Sequence, residues 1–61
     1  NVLNIETQKE GVFRLFNTLG EEVKRTNLIP GQNAISVADF ANGIYLYSID
    51  GSTFKRVVIS H

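Results

Sequence analysis

No window of this chain keeps apolar residues at i, i+3, i+4 and i+7 for the length of a helix. Sixteen of its 61 residues are Val, Ile or Thr and only three are Ala. Branching at Cβ costs rotamer freedom in a helix and suits the pleated surface of a strand, so the chain is expected to be all-β. Alternation and turn chemistry divide it into about six to seven short strands: Val2 to Glu6, Val12 to Asn17, Glu22 to Thr26, Asn33 to Val37, Ile44 to Ile49 and Phe54 to Ser60. Glu10-Gly11 and Leu19-Gly20 place a glycine where positive φ is cheap. Pro30-Gly31 fits the middle of a type II turn, and Asp50-Gly51 is the strongest hairpin signal, because a type I′ turn needs positive φ at both central residues. Asp39 to Asn42 reads as a single helical turn closed by Gly43.

Period-two spacing puts Phe13 with Leu15, Ile35 with Val37, and Tyr45 with Tyr47 and Ile49 on one face of their strands. A single sheet of this size leaves such a face wet. The expected architecture is therefore a small antiparallel sandwich, one domain over residues 1–61, with Val23, Leu28 and Phe40 filling its ends. Tyr45 is expected to bury its ring and find a hydroxyl partner at the rim. Gly20, Gly31, Gly43 and Gly51 are read as structural turn residues. The opening at Asn1 without an initiator Met suggests a piece of something longer.

Several chemistries lack their residues. There is no Cys for a disulfide or a thiolate metal site, and no cofactor or metal motif is found. The one histidine, His61, reads as a frayed tail rather than as half of a Ser60-His61 dyad. Asp39 and Asp50 read as turn formers, and Glu21 and Glu22 as neighbours pointing to opposite faces of a strand. Six Lys and Arg balance six Asp and Glu, which gives no electrostatic footprint for nucleic acid. The longest apolar runs, Ile44 to Tyr47 and Val57 to Ile59, fall far short of the roughly 20 residues of a membrane span. The basic pairs Lys24-Arg25 and Lys55-Arg56 suit edge strands guarded against pairing with another chain.

Four segments taken in order resemble a known family. They are Leu15 to Val23, with its Asn17-Thr18-Leu19-Gly20 turn; Gly31 to Val37, opening Gly31-Gln32-Asn33; Phe40 to Ile49, with Gly43-Ile44-Tyr45; and the closing strand Phe54 to Ile59. Their order and spacing resemble the C-terminal sorting domain of proteins exported by the type IX secretion system of Bacteroidetes-type bacteria. The resemblance implies a non-catalytic immunoglobulin-like sandwich behind an N-terminal cargo domain of the same chain. It also implies recognition by the secretion machinery, removal by a sortase-like protease at the outer membrane, and a secreted or cell-surface destination by way of the periplasm. Gly20, Gly31, Gly43, Tyr45 and Ile49 carry the family pattern. The candidate recognition strand is Lys55, Arg56, Val57, Val58 and Ile59, which a receptor would meet by edge addition. The competing expectation is a fibronectin-like spacer or carbohydrate-binding module of a secreted enzyme. That reading needs solvent-facing Trp or Tyr rings, and the chain has no Trp while both tyrosines are expected on the core face.

Overall fold

The computed structural model describes residues 2–61. Among them are six strands and no helix: β1 (Val2–Thr7), β2 (Gly11–Phe16), β3 (Glu22–Leu28), β4 (Gly31–Ser36), β5 (Gly43–Ile49) and β6 (Lys55–Ile59). β1 and β4 form an antiparallel two-stranded layer, and the second layer is antiparallel in the order β3-β2-β5-β6. Hairpins join β2 to β3 and β5 to β6, while the other three connections cross between layers. This is the small sandwich the alternation implies. Phe13, Leu15, Leu28 and Ile59 from the larger sheet meet Ile35 and Val37 from the smaller layer, all at most 4% exposed. Leu3, Ile5, Phe40, Tyr45, Tyr47, Ile49 and Val57 pack around them. β3 runs to Leu28 rather than Thr26 because Leu28 pairs with Gly11 and its side chain closes the core.

The β5–β6 turn follows the expected chemistry. Asp50 and Gly51 have φ of 56° and 72°, and Ser52 N–H donates to the Ile49 carbonyl at 3.0 Å. Only a residue tolerant of the left-handed region fits either place. Gly11 departs from expectation, because its φ is not positive. Its missing side chain is what matters: a Cβ there would lie 2.7 Å from an Asp50 carboxylate oxygen. That carboxylate accepts a hydrogen bond from Val12 N–H at 2.8 Å and so ties the start of β2 to the end of β5.

Two expectations fail for identifiable reasons. Asp39 to Asn42 is not a helical turn but a tight turn in which Phe40 N–H donates to the Val37 carbonyl, followed by a bend. The carbonyls of Phe40 and Ala41 are engaged by side chains from outside the segment. His61 Nε2 lies 2.6 Å from the Phe40 carbonyl and Tyr45 hydroxyl donates to that of Ala41 at 2.9 Å. Val23 does not fill an end of the core and is 36% exposed. Register shifts between Leu15, opposite Lys24, and Phe16, opposite Glu22, so Val23 is the extra residue of a bulge.

The Tyr45 bond is a fold-level device. A tyrosine near the start of a strand, bonded to backbone a few residues upstream, recurs in immunoglobulin-like sandwiches as the tyrosine corner. Removing the hydroxyl alone, Tyr45→Phe, is expected to cost about 1 kcal/mol in denaturant unfolding and to leave the slope of the transition unchanged.

Candidate recognition strand

β6 is the last strand of the larger sheet and, among the described residues, pairs only with β5. Register fixes what it shows. Tyr45 lies opposite Val57 and Gly43 opposite Ile59, so Val57 and Ile59 face the core with the tyrosines, and Ile59 is 4% exposed. Arg56 and Val58 point the other way, opposite Leu46 and Ile44, and both are exposed. Lys55 shares the inward register with Tyr47 as its partner, yet lies exposed at the strand's start. Of the five candidate residues, then, Lys55, Arg56 and Val58 offer side chains to a partner, while Val57 and Ile59 hold the strand down.

The opposite edge is built alike. β3 carries Lys24, paired with Leu15 and therefore in inward register. A lysine in inward register on each free edge of the larger sheet discourages unplanned strand addition, so the two basic pairs lie on that sheet's edge strands. On β6 that guard stands at one end only, and Val57 to Ile59 form no ladder on their outer side among the described residues.

The end of β6 is fastened rather than frayed, which corrects the reading of His61 as a loose tail. His61 N–H donates to Asn42 Oδ1 at 3.0 Å, and the ring contact to the Phe40 carbonyl requires the proton on Nε2. Sequence offered no signal for this, because the partners lie 19 and 21 residues upstream.

The motif residues are scattered by role rather than gathered into a pocket. φ is 87° at Gly20, 100° at Gly31 and 154° at Gly43, all at strand ends or turns. Ile49 sits opposite Phe13, and its carbonyl closes the β5–β6 turn. Tyr47 stacks on Phe13 at 5.6 Å, and Tyr45 packs against Phe40 at 6.0 Å. Both tyrosine rings thus pack against the core, so neither is a solvent-facing platform for a sugar.

Carboxylates make structural contacts. Glu22 bridges Arg14 and Arg25 at 3.8 and 3.2 Å, Glu21 accepts from the Asn17 amide, and Asp50 binds backbone. No three His, Cys, Asp or Glu side chains gather as a metal site among the described residues.

No curated protein and no solved structure matches the chain. A family profile does, over residues 1–60, and its description is the secretion system C-terminal sorting domain. With a match of that extent on an all-β sandwich ending in a free-edged strand, the chain belongs to the family of C-terminal sorting domains of type IX secretion.

Proposed function

We propose that this domain is a non-catalytic address, read by the outer-membrane secretion machinery chiefly through β6, that delivers an N-terminal cargo to the cell surface or the medium. A sortase-like protease then separates label from cargo. The observation that carries the reading is the state of β6, a free-edged strand whose Arg56 and Val58 face outward while Ile59 anchors it. Edge addition supplies main-chain hydrogen bonds for affinity and leaves selectivity to the alternate side chains.

The test fuses residues 1–61 to a periplasmic reporter in a bacterium with this export route. Reversing both charges, Lys55→Glu with Arg56→Glu, is expected to cut surface display severalfold while the melting temperature of the purified domain holds. Both side chains are exposed, so the fold does not depend on them. Full display from the double variant would remove β6 from the signal. Deleting residues 54–61 is the weaker experiment, since it strips Ile59 from the core.

A further inference from the structure

The outward side of the larger sheet is an unusual surface for a domain with no net charge. Cross-strand register places Phe16, Leu46 and Arg56 in one row and Ile44 beside Val58 in the next. Phe54 closes onto Phe16 edge to face, with centroids 5.2 Å apart. Ile44, Phe54 and Val58 are 46%, 58% and 61% exposed. Isolated surface hydrophobes need no explanation, but a contiguous group of five on one face of so small a domain marks a contact surface.

Charge on this face is lopsided. Arg14 and Arg25 stand directly opposite each other, a like-charge arrangement that weakens a strand pair, and they share the single carboxylate of Glu22. Arg56 adds a third guanidinium, with no acidic partner among the described residues. An apolar centre of aromatic and aliphatic groups with arginines at its border is the composition that carries binding energy in protein interfaces.

We infer that this outward face, and not the β6 edge alone, docks a protein surface of the secretion machinery whose apolar patch is rimmed by carboxylates. A second copy of the chain is a poor occupant, because two such faces would oppose three arginines each with one glutamate each. The inference rests on the sorting reading and extends it across β5 and β2, away from β6.

Two variants of the reporter fusion test it. Ile44→Ser with Phe54→Ser removes exposed apolar surface and spares β6. Arg14→Gln with Arg25→Gln removes the charge excess. Each is expected to lower surface display roughly tenfold or more, with a melting transition within a few degrees of the parent. Parental display from either folded variant overturns the inference and leaves the β6 reading standing. A parent fusion retained in the periplasm overturns the sorting reading, and this inference with it. The purified domain supplies two further outcomes. Flotation with phosphatidylglycerol-containing vesicles that is lost in Ile44→Ser with Phe54→Ser would assign the face to lipid. Dimerisation in sedimentation that is lost in the same variant would assign it to a second copy. Either result overturns the protein partner.

Discussion

Replacing Phe13 with alanine is expected to remove about a third or more of the isolated domain's stability at 25 °C. Its ring is fully buried, lies between Thr26 and Ile49 in the sheet register and stacks on Tyr47. Emptying such a site costs about 3–5 kcal/mol, the transfer of the ring plus the cavity it leaves. A domain of this length has a total stability of only about 3–9 kcal/mol at the usual ~0.05–0.15 kcal/mol per residue, so this one change removes about a third of it at the least and all of it at the low end. No cysteine is present to staple what remains. Urea unfolding followed by circular dichroism checks the result. The control is Phe54→Ala, the same chemistry at a ring 58% exposed, where the loss is confined to one edge-to-face contact and is expected at about 1 kcal/mol. Equal costs at the two sites would mean that Phe13 is not the keystone its burial indicates.

That contrast shows which parts of the fold are legible in the amino-acid order. Parity along a strand is local information, so Phe13 with Leu15 and Ile35 with Val37 are assigned to the core correctly. Asp50-Gly51 is equally local, since the turn's dihedrals belong to those two residues. Expectation fails where a distant group intervenes. The bend after Val37 takes its shape from Tyr45 and His61 claiming carbonyls, and His61 is 21 residues away from Phe40. The bulge at Val23 has no signature in side-chain type, because Val fits a strand equally well on either face.

The candidate site is legible in part for the same reason. The composition of β6 is plain, yet its place at the sheet edge follows from strand order, which no local pattern encodes. The apolar outward face is hidden more deeply. Period-two spacing puts Ile44 and Leu46 on the face opposite Tyr45, Tyr47 and Ile49, but only the cross-strand register gathers them with Phe16 and Val58 into one patch.

Asn33 offers the second large effect, and it follows from geometry rather than from burial. The connection from β3 to β4 carries Pro30 and Gly31, but its chain reversal is held by a side chain. Asn33 Oδ1 accepts from Ile29 N–H at 2.9 Å, while its amide nitrogen donates to the carbonyls of Ile29, Gly31 and Ile5 at 2.9, 3.3 and 3.3 Å. One planar group therefore closes the turn and pins it to β1, the strand that pairs with β4. Asn33→Ala releases these bonds together and is expected to cost about 2–3 kcal/mol in urea unfolding, since the bond to Ile5 lies in a partly buried place where water replaces it poorly. Asn33→Asp separates the two halves of the group. It keeps the acceptor for Ile29 N–H and turns a carboxylate oxygen toward three carbonyls. Near neutral pH it should be at least as destabilising as alanine despite its near-identical shape, and protonating it at low pH should recover part of the loss by restoring a donor. An Asn33→Asp variant as stable as the parent while ionised would show that the acceptor bond alone closes this turn, and that the three donated contacts contribute nothing to holding β4 against β1.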